Sequence, residues 1–164
     1  MRIRPVTFID SPQIAEIYNY YVDSSHATLE IERIEPAEME VRVRETIDRG
    51  YPFFICEEGT EIVGYAYGHQ FRKRPAYRFS VEVSVYVRQA NEKTQIGSRL
   101  YRALLSEMEK GDFHTVIAGI SLPNDASVRL HENFGFEKVA HFREVGFKFG
   151  RWIDVGYWQK LLMS

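Results

Sequence analysis

The 164-residue chain carries 21 Lys and Arg against 23 Asp and Glu, a net charge of -2, with 45% hydrophobic and 27% charged residues. That length suits one domain burying roughly 70% of the surface its unfolded form exposes. The composition excludes a disordered or fibrous chain, and the balanced charge provides no global field for nucleic acid.

No run approaches the ~18 apolar residues of a membrane span, and the start "MRIRPVTFID" lacks the apolar core of a signal peptide. A cytoplasmic protein without membrane partners is expected. The only cysteine, Cys56, excludes an internal disulfide, and its setting in "PFFIC" predicts a buried strand. Five His and one Cys show no ligand spacing such as H-E-x-x-H or C-x-x-C, so no metal is expected.

Residues 3–6 read as a short strand. "DSPQIAEIYNYYV" then supplies Ser11 as a cap, Pro12 in the first turn and Ile14, Ile17, Tyr18 and Tyr21 at helical spacing. A second helix is predicted from Pro36, with Met39, Val43 and Ile47 on one face and Gly50 as its stop. "PFFIC", a Gly59 turn and "EIVGYAYGH" make a hairpin, followed by the strand "RFSVEVSVYV".

From Ile96 the period changes from two to 3.6, with Ile96, Leu100, Leu104 and Met108 marking a helix that ends at Gly111. "TVIAGIS" predicts an apolar strand, residues 126–134 a short helix stopped by Gly135, and "FEKVAHF" and "FKFGRWIDVGYWQKLL" closing strands around a Gly150 turn. The predicted order is β-α-α-β-β-β-α-β-α-β-β. No repeat or linker interrupts it, so residues 1–164 are expected to form a single α/β domain with a mixed central sheet flanked by helices.

The stretch "VEVSVYVRQANEKTQIGSRLYRALL" concentrates the chemistry. Strand alternation sets Val81, Val83, Val85 and Val87 on a core face and Glu82, Ser84 and Tyr86 on the other. Partial burial there would raise the pKa of Glu82 toward that of a useful base; the alternative is an exposed strand Glu. The helix beginning near Gln95, with Gly97 and Ser98 in its first turn, leaves amides free for an anion such as a diphosphate. No G-x-x-x-x-G-K-[ST] pattern occurs, which excludes a P-loop.

This ordering of elements, together with "IYNYYV", "ATLE", "GYAYG", "RPAYRFSVE", "LPNDASVRLHENFGF" and "VGFKFGRWIDVGYWQ", resembles the GNAT superfamily of acetyl-CoA-dependent N-acetyltransferases, and within it the phosphinothricin acetyltransferases. The resemblance covers essentially the whole chain. It implies that Glu82 is the general base, with His131, where many relatives carry Tyr, assisting proton transfer as an imidazole titrating near neutrality. It also implies main-chain contacts from Val85, Tyr86 and Val87 to the pantetheine arm. Lys93, Thr94, Gln95, Ile96, Gly97 and Ser98 would hold the diphosphate, and Asn124 would contact the arm; from the residues alone Asn124 is a cap or turn residue.

The diphosphate turn departs from the family pattern, because Glu92 stands where Gln or Arg is usual and Gln95 replaces a glycine. If that position needs a positive φ, a side chain there costs roughly 1 kcal/mol or more. Weaker acetyl-CoA binding than in a glycine-containing version is therefore expected, with Lys93 and Arg99 available to compensate.

For the acceptor, "FRKRPAYR" places Arg72 and Arg74 on one side of an extended segment, with Arg78 four residues on. Paired guanidinium forks suit an anionic head group. The resemblance makes these the holders of the substrate's acidic groups and sets Thr28, Leu29 and Glu30 beside an amino-acid pocket. It implies acetylation of a small anionic amino acid or analogue of the phosphinothricin, methionine sulfoximine or methionine sulfone type. The alternatives are a GNAT acting on another amine, such as a protein N-terminus or polyamine, and a non-catalytic acyl-CoA-binding module. A homodimer is expected from the resemblance, with Trp152, Tyr157 and Trp158 either at its interface or in the core.

Overall fold

The computed structural model describes residues 1–91 and 94–163. The predicted order of elements is the observed one: β1 (Arg2–Pro5), α1 (Ser11–Ser24), α2 (Pro36–Asp48), β2 (Phe53–Glu58), β3 (Glu61–Gln70), β4 (Ser80–Val87), α3 (Ile96–Met108), β5 (Thr115–Leu122), α4 (Asp125–Asn133), β6 (Glu137–Lys148) and β7 (Arg151–Leu161). The strands form one sheet in the order β1-β2-β3-β4-β5-β7-β6. Every neighbouring pair is antiparallel except β4 with β5. That parallel pair needs the crossover that α3 provides.

The sheet is covered on both faces. Val81 and Val83 pack with Ile96, Leu100, Leu104 and Met108 of α3. Leu100, Leu104 and Met108 lose all solvent contact, each contributing about 1.5–3 kcal/mol by burial. On the other face, Ile14, Ile17 and Tyr18 of α1 and Met39 and Val43 of α2 pack on Ile55, Ile62 and Tyr65, with Tyr86 against them. Cys56 is fully buried in the α3 layer, as its aromatic run predicts.

Three local expectations change. Ser11 is not the cap of α1, because a 3-10 turn at Phe8–Asp10 puts Asp10 at that position. The Asp10 carboxylate instead meets the Arg4 guanidinium at 2.8 and 2.9 Å and the Thr7 amide at 2.8 Å. Ile47 stays substantially exposed at the end of α2, where the helix has run past the layer that buries Met39 and Val43. The segment carrying Arg72, Arg74 and Arg78 is a loop containing a 3-10 turn at Pro75–Tyr77, so the extended spacing invoked for the arginines does not apply.

Gly64 on β3 sets how closely α3 can approach. A Cβ there would come within 2.9 Å of Ile96 Cγ2, 3.1 Å of Leu100 Cδ1 and 3.1 Å of the Tyr86 carbonyl oxygen. The carbonyl belongs to the sheet and cannot swing aside, so Gly64→Ala must push α3 outward. The expected cost is about 1–3 kcal/mol, read as a lower urea midpoint with an unchanged slope; an unaltered midpoint would show that the helix can yield freely.

Candidate active site

The parallel pairing of β4 and β5 lasts for three residues only, Ser80 with Thr115, Val81 with Val116 and Glu82 with Ile117. Beyond Glu82 each strand keeps its outer partner, β4 holding β3 as far as Val87 and β5 holding β7 as far as Leu122. The sheet therefore opens into a wedge. Its mouth is a cleft of about 640 Å³ lined by Val83–Val87 of β4 and residues 119–121 of β5, with Gly97 and Ser98 of α3 at one end.

The α3 end of the cleft is suited to an anion. No side chain caps the helix, and no acidic residue occupies its first turn. The first amides therefore lack intrahelical partners and lie at the positive end of the dipole. Gly97 has no neighbour closer than 3.6 Å to where its Cβ would be, so the approach to the backbone is open.

Of the residues assigned to this region, Thr94, Gly97, Ser98, Val85, Tyr86, Val87 and Asn124 line the cleft. Ile96 turns its side chain into the core and can offer only its backbone. Lys93, with Glu92, lies outside the described residues. Gln95 has φ -84°, in the ordinary negative range, and its side chain is exposed. No backbone strain is stored there, so the conformational reason for expecting weakened binding falls away. Asn124 does cap α4, its Oδ1 accepting from the Ser127 amide at 3.1 Å, while also facing the cleft.

Glu82 sits at the apex where the strands part. Burial pushes its carboxyl above the usual range, while the charges of His69 and Arg72 pull the other way. Its Oε1 lies 3.4 Å from the point a Cβ on Gly119 would occupy, and Gly119 lines the cleft. A side chain at 119 would press on the Tyr157 ring and touch the carboxylate. Gly119 was legible only as a glycine inside an apolar strand, the pattern that marks close approach of another group.

His131 is almost fully buried. Its Nδ1 is 2.7 Å from the Ser127 carbonyl, which can only accept, so Nδ1 carries the hydrogen and Nε2 accepts from the Tyr101 hydroxyl at 2.7 Å. Burial pushes the imidazole pKa down, with the Ser127 bond opposing. Both nitrogens are thus engaged, and His131 lines the cleft together with Tyr101. Tyr101 went unnoticed in the sequence because an aromatic on the apolar stripe of α3 reads as plain core.

Around Glu82's face of β4 stands a polar and aromatic wall. Thr28 is buried and meets the Tyr18 hydroxyl at 2.8 Å. Glu30 receives both Arg42 terminal nitrogens, at 3.1 and 2.6 Å. Although burial opposes it, bonds from Arg42 and Tyr18 hold the Glu30 carboxyl below its ordinary range. Leu29 lies against Gly146, whose Cβ would meet its Cδ1 at 2.8 Å.

Arg72 rests on the Phe71 ring and Arg78 on the Phe79 ring, 4.4 and 4.2 Å from their centroids. Arg72 comes near enough to act on Glu82, but neither of them lines the cleft itself, nor do Arg74, Arg78, Thr28, Leu29 and Glu30. Among the described residues no cluster of His, Cys, Asp and Glu could hold a metal. Nor is any described helix long and apolar enough to cross a membrane.

Residues 3–156 match the family described as Acetyltransferase (GNAT) domain. The chain is 38% identical to a phosphinothricin N-acetyltransferase of Streptomyces viridochromogenes, over 98% of this chain and 87% of that protein. It is 34% identical to an L-methionine sulfoximine/L-methionine sulfone acetyltransferase of Salmonella typhimurium, covering 97% and 93%. A GNAT superfamily phosphinothricin acetyltransferase from Sinorhizobium meliloti, solved in complex with acetyl-CoA, superposes with a TM-score of 0.95 at 34% identity, covering 98% and 88%. The chain therefore belongs to the GNAT family of acetyltransferases.

Proposed function

We propose that this protein transfers an acetyl group from acetyl-CoA to the amino group of a small anionic amino acid or analogue, of the phosphinothricin, methionine sulfoximine or methionine sulfone type. The observation that carries this reading is the position of Glu82, a carboxyl with raised pKa at the apex of a wedge whose far end holds the uncapped α3 amides. The names of the Streptomyces and Salmonella relatives support the substrate class.

Acetyl-CoA supplies the activated acetyl group. The amides at the start of α3 would hold its diphosphate, and the β4 edge left unpaired beyond Glu82 would accept the extended arm as an added strand. An amide of residues 85–87 would polarise the thioester carbonyl. Glu82, set just behind Gly119, would take the proton from the incoming amine, directly or through a water molecule. His131 serves the site through Tyr101, whose hydroxyl hydrogen it fixes. Arg72, close to Glu82, favours an acceptor with an acidic group, and Thr28, Leu29 and Glu30 shape the same side.

We also propose a homodimer built on β6, which is an edge strand of the sheet. Val145, Phe147, Phe149 and Trp152 each leave more than half their surface exposed there. Phe147 and Trp152 pair across the hairpin with ring centroids 4.9 Å apart. Exposed apolar side chains grouped at the tip of the β6–β7 hairpin mark a surface suited to cover by a partner. Trp158, by contrast, is core.

Thiol release from acetyl-CoA across a panel of amino-acid analogues, polyamines and peptide N-termini tests the activity. Glu82→Gln is expected to lower kcat/KM by roughly 10²–10⁴. Since the base works only when ionised and burial raises its pKa, wild-type activity should rise with pH along a limb displaced above the ordinary Glu value, and the mutant should lose that limb. Undiminished turnover in the mutant would reject Glu82 as base. For the assembly, light scattering should give a dimer for the wild type and a monomer for the Phe147→Glu, Trp152→Glu double variant; a wild-type monomer at micromolar concentration would refute the interface.

A further inference from the structure

Lys148, the last residue of β6, is 3% exposed although it is a lysine on an edge strand. Its ammonium points at three main-chain carbonyls, those of Ser25 at 2.6 Å, Thr28 at 2.9 Å and Tyr21 at 3.3 Å. An ammonium has three N–H donors and no acceptor, so these carbonyls use it completely. Tyr21 belongs to the last turn of α1, where the macrodipole favours a cation. Burial nevertheless pushes the Lys148 pKa down, opposed by the charges of Asp23 and Glu30. A group held at such a cost has something to hold.

What it holds is the loop from Ser25 to Glu30. Gly146, two residues earlier on the same face of β6, leaves the space that Leu29 fills. One face of β6 thus grips the loop twice, by charge at Ser25 and Thr28 and by close contact at Leu29. His26 adds a third tie, since its Nδ1 accepts from Arg151 at 3.0 Å and its Nε2 donates to the Pro123 carbonyl at 2.8 Å. The loop leaves α1, which packs on the β1–β4 half of the sheet, and is anchored by residues of the other half. Thr28 then stands on the face of β4 that carries Glu82, its hydroxyl 2.8 Å from that of Tyr18, whose ring packs edge-on against Tyr86.

We infer that Lys148 is a positioning residue for the acceptor: by gripping the Ser25 and Thr28 carbonyls it sets the wall opposite Glu82 against which the amine-bearing substrate is held. It touches neither reactant. Its influence falls on acceptor binding through Thr28, Leu29 and Glu30 on Glu82's side of β4, while Ser25, His26 and Ala27 of the same loop line the cleft with the β4 edge. The inference rests on the acetyltransfer reading above.

The test uses Lys148→Met, which keeps the length of the side chain and removes the donors. If that variant does not fold, Lys148→Arg takes its place, since a planar guanidinium cannot converge on three carbonyls arranged around one nitrogen. Amide exchange should speed up in residues 25–30 while α3 and the β4–β3 ladder keep their protection. The acceptor KM should rise roughly tenfold or more, with kcat within about twofold of wild type. A merely structural lysine would lower the melting temperature without that division between KM and kcat. Unchanged exchange in the loop, or an unchanged acceptor KM, would overturn the inference. Wild-type protein that releases thiol with no amine would strike the acetyltransfer reading and the acceptor role with it, while exchange would still decide whether Lys148 holds the loop.

Discussion

The structure depends on a parallel strand pair that is allowed to fail. β4 and β5 are joined at Ser80, Val81 and Glu82 and nowhere further, and both continue outward because each has an antiparallel partner to lean on. A strand edge inside a sheet would ordinarily leave buried amides and carbonyls without partners, which is costly. Here the edge opens onto a solvent-filled cleft, where water or an extended ligand can satisfy it. The same three-residue limit places Glu82 at the apex, half-buried and shifted, rather than in the middle of a continuous ladder.

The rest of the molecule keeps that opening in shape. α3 delivers its free amides to the cleft because its apolar stripe is locked against β3 and β4, and Gly64 lets it come close enough to do so. On the opposite face α1 and α2 bury the rings of Tyr18, Tyr65 and Tyr86, giving the β1–β4 half a rigid backing. In the second half, β5-β7-β6, most of the described residues of β6 remain exposed, Val139, Phe142, Val145 and Phe147 among them.

Several polar groups are positioned by single, well-defined bonds. The Ser127 carbonyl determines which nitrogen of His131 carries hydrogen, and that in turn directs the Tyr101 hydroxyl. Arg42 holds Glu30 bidentately, and Lys148 holds the loop before it. His131 and Lys148 are removed from water, so losing a partner at either would leave a buried polar group unsatisfied. The site is therefore preorganised from behind, by residues that need never meet a substrate.

Much of this was present in the order of residues. Period-two and period-3.6 patterns, with Gly50, Gly59, Gly135 and Gly150 as stops, were sufficient for all eleven strands and helices, because local chain geometry governs those signals. Alternation along β4 was sufficient to put Glu82 on the face opposite the valines. What the order of residues could not contain was distance between segments far apart in the chain: that β4 and β5 separate after Glu82, that Gly119 lies against its carboxylate, that Tyr101 occupies His131, and that Lys148 reaches back more than a hundred positions to the end of α1. The alignment of the arginines of residues 72–78 fails for the same reason, since it assumed an extended segment where the chain turns. Propensity and periodicity act over a few residues, whereas a shifted carboxyl or a clamped loop arises only when packing brings remote groups into one water-poor space.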